Sequence, residues 1–418
     1  MENCVANLLD LLVDRIMIVM AHKKRPESPS VGKGVNVNRS VVAAVSASMS
    51  LALIPFVAFA QGNDSSTILS IDHYVPVVST VPSIAGEMAQ IYVRERALAR
   101  TDLQTRSLED RVVLFVHGAG TPGEVAFDVP YEGYSWMAFL AAAGFDVFSM
   151  DMTGYGRSTR PLVMNDPCNL AKQQQAEFVP VLIGAPCSPR YDYAATTIAS
   201  DWNDLNAVVE YLLELRDVDR VSLIGWSLGG PRAGGYAARY PEKVRSIVLL
   251  SPAYSRGRPS ESPESLPVPG AAMTKQSQRD FRANWDRQVG CADQYDPAVG
   301  DAVWSAMLAS DPVGASWGTG VRRAPRTTTW GWDPDRVRST SIPMLLFAPA
   351  HDGQVAPERV AELYEDLGSS RKVLIDLACA SHNAMWERNR MLLYDASLQW
   401  LRDGVVKGVD SGELRLGY

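Results

Sequence analysis

The stretch VSLIGWSLGGPRAGGYAARYP at residues 221–241 carries a serine between two glycines, where an apolar run meets an alanine-rich one. The apolar run is typical of a buried parallel strand, and the segment after it is typical of a helix that ends before Pro241. A sharp turn from strand to helix crowds its side chains, and Gly225 and Gly229 relieve the crowding around Ser227. This context predicts that Ser227 is a nucleophile; the alternative is a polar residue in a glycine-rich turn.

The alternation of strands and helices continues on both sides of this turn. Short apolar runs predict further buried strands, and these runs are VVLFV at 112–116, FDVFSMD at 145–151, VRSIVLLSP at 244–252, IPMLLFAPA at 342–350 and RKVLIDLA at 371–378. Helical segments separate most of them, which implies right-handed crossovers. The predicted fold class is therefore α/β, with a mostly parallel, doubly wound sheet. Upstream, the stretch GEMAQIYVRERALA at 86–99 predicts a helix.

The alternation is interrupted in two places. Residues 253–340 are rich in Pro, Arg, Ser and Trp and contain no run typical of a buried strand, so they predict an insertion over the sheet. Residues 162–192 form a polar excursion that holds two cysteines and is a candidate for an extra lid segment. The α/β core then consists of two parts, residues 61–252 and residues 341–418.

A nucleophilic serine needs a base, and the base needs an acid that orients it. His382 follows the last predicted strand, and Asp352 follows the strand before it. Because loops at the carboxyl ends of parallel strands meet at one edge of a sheet, both side chains can reach Ser227. Glu387 is a candidate for a supporting carboxylate, and the alternative for His382 is an ordinary surface histidine.

The negative charge that develops on the substrate oxygen needs hydrogen-bond donors. The segment HGAG at 117–120 follows a predicted strand and offers backbone N–H groups. We expect the amides of Ala119 and Leu228 to form the oxyanion hole, with Gly118 as the alternative to Ala119. His117 is interpreted as a structural residue that bonds its own loop.

These motifs, together with DMTGYGRS at 151–158, resemble the α/β-hydrolase superfamily over most of residues 110–404, and the chain is similar to its capped, lipase-like serine esterases. The resemblance implies a mostly parallel, eight-stranded sheet with a helical cap inserted after the sixth strand, which is where residues 253–340 fall. It also implies a catalytic triad of Ser227, Asp352 and His382. Haloalkane dehalogenases and epoxide hydrolases of the same superfamily are disfavoured, because a resemblance of this chain to them would need Asp at the position of Ser227.

Aromatic and basic residues of the inserted segment are candidates for substrate binding. The candidates for an aromatic wall around the substrate are Trp226, Trp285, Trp304 and Trp330. The alternative for those in the inserted segment is packing of the cap. Arg322, Arg323 and Arg326 are candidates for binding a substrate carboxylate; the alternative is a solvated face.

Residues 1–60 are typical of an export leader. Basic residues precede the run VVAAVSASMSLALIPFVAFA at 41–60, which ends in the small-x-small pattern of a signal cleavage site. We expect cleavage near Ala60 and a periplasmic or secreted protein without a stable membrane span; the alternative is an uncleaved single-span anchor. The long basic region favours translation from Met17 or Met20.

Four cysteines follow the leader, an even number that fits an oxidising compartment. The favoured pairing joins Cys168 to Cys187 and Cys291 to Cys379, among three possible pairings. The alternative is four buried free thiols. No CxxC pair is present, and histidines are few, so a structural zinc site is not expected.

The sequence predicts an exported serine hydrolase that cleaves a small-molecule carboxylic ester or lactone through an acyl-enzyme, with no metal or organic cofactor. Amidase, C–C hydrolase and acyltransferase activities use the same triad and stay open, as does a non-catalytic binding protein on the same scaffold. The net charge of −7 argues against a nucleic-acid partner. The sequence carries no signal of the oligomeric state.

Overall fold

A computed structural model of the protein describes residues 67–99, 108–180, 182–257, 265–324 and 331–417. The predicted leader and its cleavage site lie outside the described residues. The described strands are β1 (Ile68–Val78), β2 (Met88–Leu98), β3 (Val112–Val116), β4 (Asp146–Met150), β5 (Val221–Trp226), β6 (Val244–Leu250), β7 (Thr274–Gln276), β8 (Val321–Arg323), β9 (Met344–Pro349), β10 (Lys372–Leu377) and β11 (Gly412–Leu416).

The α-helices of the described residues lie between and after these strands. They are α1 (Gly123–Phe127), α2 (Trp136–Ala142), α3 (Lys172–Phe178), α4 (Ile198–Arg216), α5 (Gly229–Arg239), α6 (Gln278–Asp286), α7 (Pro297–Ser310), α8 (Pro312–Ser316), α9 (Pro334–Ser339), α10 (Pro357–Asp366) and α11 (Arg390–Asp403). Side-chain hydrogen bonds cap the N-termini of several helices. The hydroxyl of Thr197, for example, accepts from Ser200 N–H at the start of α4. No helix in the described ranges combines the length and apolar character that crossing a bilayer requires.

Nine of the described strands form one sheet in the order β1-β2-β4-β3-β5-β6-β9-β10-β11. The strands from β4 to β11 in that order run parallel, while β1 pairs with β2, and β2 with β4, in antiparallel orientation. The predicted fold class is confirmed. The helix predicted at 86–99 is wrong, because these residues pair with strands on both sides and bury Ile91 and Val93 in the sheet.

Helices cover both faces of the sheet, so that alternate side chains of each central strand enter different cores. Leu114 and Val116 of β3 belong to a core with residues of α4, α5 and α10. Val113 and Phe115 of the same strand belong to a second core with residues of α1, α2, α6, α7 and α11. This arrangement leaves the carboxyl ends of the parallel strands, where the predicted catalytic loops begin, at one edge of the sheet.

The chain leaves the sheet after β6 and returns to it at β9. The described part of this cap segment, which we define as residues 253–340, contains α6 to α9 and a two-stranded ribbon of β7 and β8. The predicted lid segment at 162–192 contains α3, and its Gln174 exchanges two hydrogen bonds with the backbone of Lys275 in β7, at 3.0 and 3.1 Å. The lid segment therefore packs against the cap segment.

Two disulfide bonds cross-link these segments. Cys168 is bonded to Cys187 within the lid segment, with Cα atoms 5.3 Å apart. Cys291 of the cap segment is bonded to Cys379, which follows β10, with Cα atoms 5.7 Å apart. The pairing is the one that the sequence favours.

Candidate active site

Ser227 occupies the turn between β5 and α5. Its φ angle is 58°, in the left-handed region that residues with a side chain seldom adopt. Three backbone hydrogen bonds hold this conformation: Ser227 N–H donates to the Leu250 carbonyl at 3.0 Å, and the Ser227 carbonyl accepts from Gly230 and Ala253 at 2.9 Å each. The turn leaves Ser227 on the wall of a cavity.

Two glycines allow the strand and the helix to approach each other around this turn. A Cβ atom at Gly225 would lie 2.6 Å from the carbonyl oxygen of Gly229. A Cβ atom at Gly229 would lie 2.2 Å from the carbonyl oxygen of Val116 on the neighbouring strand. Backbone atoms cannot yield at such distances, so both positions need glycine, and the spacing of the motif follows from packing.

His382 and Asp352 meet at the same edge of the sheet, in the loops that follow β10 and β9. Nδ1 of His382 lies 2.8 Å from Oδ2 of Asp352, and both side chains are buried. If Nδ1 donates to the carboxylate, Nε2 is the nitrogen that can accept a proton. His382 and Ser227 line the same cavity, so the three predicted residues converge on one site.

Hydrogen bonds and charge keep Asp352 ionised. Its Oδ1 accepts from the N–H groups of Gln354 and Val355, each at 2.8 Å. Burial acts to raise the pKa of this carboxyl, but the facing His382 and the hydrogen bonds outweigh burial and hold the pKa below its usual value. An ionised carboxylate beside Nδ1 fixes the tautomer and stabilises the imidazolium form of the ring.

The loop at 117–120 is held from behind by buried side chains. Nε2 of His117 accepts from Met152 N–H at 3.1 Å, so that Nδ1 donates to the Gly118 carbonyl at 2.7 Å. Burial, together with the nearby Arg232 charge, lowers the pKa of His117 well below its usual value. The ring is therefore neutral, and it supports its own loop.

Arg232 of α5 ties this loop to the helix that follows Ser227. Its guanidinium donates to the His117 carbonyl at 2.8 Å and forms a buried ion pair with Asp201 of α4, 2.7 Å apart. Because a buried charge needs a partner, removal of either residue would leave the other charge buried without its ion-pair partner. We expect this to lower the free energy of unfolding by about 3 kcal/mol or more.

Ala119 and Leu228 line the cavity on either side of Ser227. Neither backbone N–H donates to an acceptor among the described residues, so both are open to a substrate oxygen. Gly118, the alternative donor, does not belong to the described lining of this cavity, and a Cβ at its position would lie 2.9 Å from Cβ of Ser227. The geometry favours Ala119 over Gly118.

Gln288, just after α6, bridges the loops that carry Asp352 and His382. Its Oε1 accepts from Gly353 N–H at 3.0 Å and from His382 N–H at 3.4 Å. Its Nε2 donates to the carbonyl of Asn284 at 2.8 Å, which fixes the amide against the cap segment. One side chain of the cap segment therefore sets the spacing between the acid loop and the histidine loop.

Glu387 forms a second connection between the cap segment and the histidine loop. The buried carboxylate accepts from Ser381 N–H at 2.8 Å, Trp285 Nε1 at 2.9 Å and Gln294 Nε2 at 3.0 Å. Burial raises the pKa of Glu387 in spite of these hydrogen bonds. Glu387 thus acts behind the site, as a support for the loop that carries His382.

The cavity above Ser227 has a volume of about 420 Å³, within the range of small-molecule sites. One group of lining side chains is apolar and comprises Trp226, Leu228, Phe281, Val355 and Trp386. Another is polar or charged and includes Thr121, Gln276, Asn284, Arg323, Arg359 and Asn383. In the described part of the chain, no His, Cys, Asp and Glu side chains are grouped as a metal ion would require.

The tryptophans predicted to bind substrate occupy different places. Trp226 lines the cavity, and its indole N–H donates to the His382 carbonyl at 2.8 Å. Trp285 and Trp304 are buried against Phe281, with ring centres 6.0 and 5.8 Å apart, and lie outside the described lining. Their contacts are those of cap packing. Trp330 lies outside the described residues.

The three arginines predicted to bind a substrate carboxylate also lie in different places. Arg323 lines the cavity, and it donates to the Ala119 carbonyl at 3.0 Å. Arg322 is buried away from it, in an ion pair with Asp311 at 2.7 Å. Arg326 lies outside the described residues.

Several residues of the site carry little or no signal in the sequence. Gln288 and Phe281 reach it from the cap segment, far along the chain from Ser227, so no local spacing points to them. Trp386 follows His382 closely, and its nearness in the chain is the one signal that suggests it. Arg232 lies in the helix that follows Ser227. An arginine in such a helix would ordinarily be interpreted as part of its exposed, polar face.

The family model described as the alpha/beta hydrolase fold matches residues 111–389 of this chain. The rat and mouse proteins named 1-acylglycerol-3-phosphate O-acyltransferase ABHD5 are 27% identical to it over 134 residues, and the human protein is 26% identical. The match covers 31% of this chain and 29% of the rat protein, so the chain spans less than a third of that relative's length.

Solved structures with a similar fold are distant in sequence. The CarC serine hydrolase involved in carbazole degradation is 15% identical, with a TM-score of 0.48, over 80% of this chain and 99% of that protein. The naproxen esterase of Bacillus subtilis is 14% identical, with a TM-score of 0.44, over 80% of this chain and 92% of that one.

Proposed function

The chain belongs to the family of the alpha/beta hydrolase fold, and we propose that it is a serine hydrolase that cleaves a carboxylic ester or lactone. The observation that carries this proposal is the convergence of Ser227, His382 and two backbone amides without acceptors on one cavity, with Asp352 behind the imidazole. A nucleophile, a base with an orienting acid and oxyanion donors are the groups that acyl transfer needs.

In the proposed mechanism, Nε2 of His382 takes the hydroxyl proton as Oγ of Ser227 attacks the carbonyl carbon. The amides of Ala119 and Leu228 donate to the oxyanion of the tetrahedral intermediate. The leaving alcohol receives the proton from His382, which leaves an acyl group on Ser227. Water then attacks the acyl carbon as His382 takes its proton, and the acid is released with the serine restored.

A second candidate function is acyl transfer to an alcohol. The observation that favours it is the partial similarity to proteins named 1-acylglycerol-3-phosphate O-acyltransferase. The two functions share the acyl-enzyme and differ in the acceptor, since a transferase passes the acyl group to an alcohol in place of water. Product analysis with and without added glycerol separates them: an acylated glycerol that forms faster than the free acid would favour transfer.

We also propose that residues 253–340 act as a cap over the active site and that the mature protein is exported after cleavage near Ala60. The two disulfide bonds support export, because such bonds persist in oxidising compartments. Peptide mapping of the protein from culture fractions would test the cleavage site.

The first prediction concerns the nucleophile and its acid. A fluorophosphonate probe should label the wild-type protein and should fail to label Ser227→Ala. Hydrolysis of p-nitrophenyl esters, measured over a series of chain lengths beside lactones and aryl amides, should fall at least roughly a thousandfold in Ser227→Ala and in Asp352→Asn. The reason is that Asp352 fixes the imidazole tautomer on which proton transfer depends.

Asp376→Asn is the matched control, because this carboxylate also lies near the end of a strand but is exposed and directed to Arg415. We expect it to keep nearly full activity. The nucleophile proposal fails if the wild type is not labelled or if Ser227→Ala is labelled equally. The acid assignment fails if Asp352→Asn stays fully active while another carboxylate variant is inactive.

A further inference from the structure

The two arginines in the described lining of the cavity are both bonded to protein groups. Arg323 donates to the Ala119 carbonyl at 3.0 Å. The guanidinium of Arg359 bonds both carboxylate oxygens of Glu362, at 2.8 and 3.1 Å. The same lining holds no Asp or Glu. The neutral polar groups of the cavity are therefore the better candidates for contacts with a ligand.

Neutral polar side chains of the lining have hydrogen-bonding groups without partners in the described part of the chain. Those whose side chains form no hydrogen bond there include Thr121, Gln276, Gln354 and Asn383. Asn284 accepts from Arg287 through Oδ1 at 3.1 Å, while its NH2 group has no acceptor there. Thr121 and Asn383 are buried, at 5% and 4% relative exposure. Because a buried polar group without a hydrogen bond costs free energy, these groups are suited to bonds with a ligand.

The position of Gln276 in the ribbon of β7 and β8 directs its amide to the cavity. Its neighbour Lys275 pairs with Arg322, and these two side chains are buried on one face of the ribbon. Successive residues of a strand face opposite sides, so Gln276 and Arg323 share the other face. Both residues line the cavity, which therefore lies on that face.

The chemistry of these side chains indicates the kind of group that they bind. Amides and hydroxyls both donate and accept hydrogen bonds, whereas a carboxylate only accepts and an ammonium only donates. A ligand hydroxyl matches them, because it also does both. The side chains come from separate parts of the chain, namely the loop after β3, β7, α6 and the loops after β9 and β10. A ligand that carries several hydroxyls can pair with groups on several sides, whereas one amide group offers a single site for each kind of bond.

An aromatic cluster forms the other part of the lining. Trp226 and Trp386 have ring centres 5.5 Å apart, and the ring of Phe281 lies 6.1 Å from that of Trp386. Together with Leu228, this surface suits an apolar acyl group. The cavity volume of about 420 Å³ is near the lower end of the range for small-molecule sites, which favours a short acyl group.

We infer that the protein cleaves esters in which a short acyl group is linked to a polyhydroxylated alcohol, that is, a sugar or another polyol. This inference rests on the proposed serine hydrolase function and names its substrate class. The hydroxyls belong to the alcohol, because the aromatic surface takes the acyl group. They bind through neutral side chains that include Thr121, Gln276 and Asn284. If these side chains are only hydrated, hydroxyls on the alcohol will not change the rate.

The experiment uses pairs of acetate esters that differ in the hydroxyls of the alcohol. Glycerol monoacetate is compared with propyl acetate, and sorbitol monoacetate with hexyl acetate. Acetamidoethyl acetate, compared with pentyl acetate, offers one amide group. Methyl glycerate, compared with methyl propionate, moves the hydroxyls to the acyl side. The measured quantity is the ratio of kcat/KM within each pair, from acid release at constant pH, divided by the ratio of the alkaline hydrolysis rates.

We expect the wild type to prefer the polyol ester of each acetate pair by roughly 10- to 100-fold, because each paired hydroxyl adds a hydrogen bond. Thr121→Val and Gln276→Met remove a hydroxyl and an amide at similar shape, and each should reduce this preference several-fold. Thr121→Ser keeps the hydroxyl and should retain most of it. Gln278→Met makes the matched change at the exposed start of α6, outside the described lining, and should leave the ratio unchanged.

Three results would overturn the inference while the proposed function stands, in a wild type that is labelled by fluorophosphonate and cleaves the simple acetates. One is the lack of a preference for either polyol ester. Another is a larger preference for acetamidoethyl acetate or for methyl glycerate, which would indicate an amide ligand or hydroxyls on the acyl side. The third is that Thr121→Val and Gln276→Met slow both members of a pair equally. If the wild type is neither labelled nor active on any ester, it is the proposed function that fails.

Discussion

Ser227, the proposed nucleophile, has an unfavourable backbone conformation. A left-handed φ costs a residue with a Cβ on the order of 1 kcal/mol, a cost that glycine does not have. Glycine would therefore fit this turn more easily, and the chain has glycine at neighbouring positions where no Cβ has room. The presence of a serine where glycine is conformationally favoured is consistent with the proposed use of its hydroxyl.

Asp204 of α4 is a buried carboxylate whose ionisation opposes folding. Its Oδ2 accepts from Thr153 N–H at 2.9 Å, but its Oδ1 has no hydrogen-bond partner among the described residues. Burial raises the pKa of Asp204 to about 7, against the lowering effect of the bond from Thr153. In the unfolded chain the pKa is near its ordinary value of about 4.

This pKa difference predicts how stability changes with pH. Between pH 4 and pH 7 the folded state binds the proton more tightly than the unfolded state, so the contribution of Asp204 is largest at low pH and is lost as pH rises through 7. Replacement by Asn removes this dependence. From pH 5 to pH 8, the free energy of unfolding of Asp204→Asn should gain about 3 kcal/mol on that of the wild type.

Urea unfolding at both pH values measures this change, with Asp219→Asn, at an exposed position of the same region, as the control. The control should follow the wild type at both pH values. An Asp204→Asn profile parallel to that of the wild type would show that the carboxyl is not protonated in the folded protein near neutral pH.

At the scale of elements, the sequence predicts secondary structure best where the local sequence pattern and the tertiary contacts favour the same element. The strands β3, β4, β5 and β9 were predictable from their mostly apolar runs because every residue in them is buried, and helix α5 follows directly from the glycine-rich turn. The prediction was wrong for β2, whose Glu, Met, Ala and Arg favour a helix in isolation. Pairing with both β1 and β4 overrides that preference.

The same contrast explains which parts of the site were predictable. The three catalytic candidates each follow a predicted strand, and the order of strand ends in a parallel sheet brings them together. The lining from the cap segment was predicted as a set of tryptophans and arginines; Arg323 does line the cavity, whereas Trp285 and Trp304 pack against Phe281. Cap residues reach the site through tertiary packing, which leaves no fixed spacing in the sequence.

The segment that follows α6 is expected to position the catalytic loops through Gln288. Gln288→Ala removes the acceptor that Gly353 and His382 share, so the spacing of acid and base should loosen. We expect kcat to fall roughly 10-fold or more while KM changes little, because misplacement by an ångström affects the transition state more than substrate binding. Steady-state kinetics on a p-nitrophenyl ester measure both constants.

Gln288→Glu keeps an oxygen acceptor at the same place and should retain more activity than Gln288→Ala. Gln278→Ala, at the exposed start of α6, is the control and should behave as the wild type. A Gln288→Ala variant with unchanged kcat would show that the catalytic loops hold their geometry without the cap segment.

At the scale of the whole molecule, the active site depends on connections between parts that are distant in the chain. The proposed nucleophile comes from the chain before the cap segment and the proposed acid and base from the chain after it, and Gln288 of the cap segment accepts from the loops that carry Asp352 and His382. The bond between Cys291 and Cys379 adds a covalent connection between the cap segment and the loop that carries His382. Stability and activity should therefore be coupled at this bond.

The two disulfide bonds allow that coupling to be tested, since both stabilise but only one borders the catalytic loops. Closure entropy assigns about 3 kcal/mol to the 19-residue separation of Cys168 and Cys187 and about 4 to 5 kcal/mol to the 88-residue separation of Cys291 and Cys379. The double variants Cys168→Ser/Cys187→Ser and Cys291→Ser/Cys379→Ser should both unfold at lower denaturant concentration. Under conditions in which both are folded, only the second should lose several-fold in kcat, because only that bond fixes the histidine loop. Equal loss of kcat in both variants, or full activity without the Cys291–Cys379 bond, would mean that the hydrogen bonds of Gln288 and Glu387 hold the site by themselves.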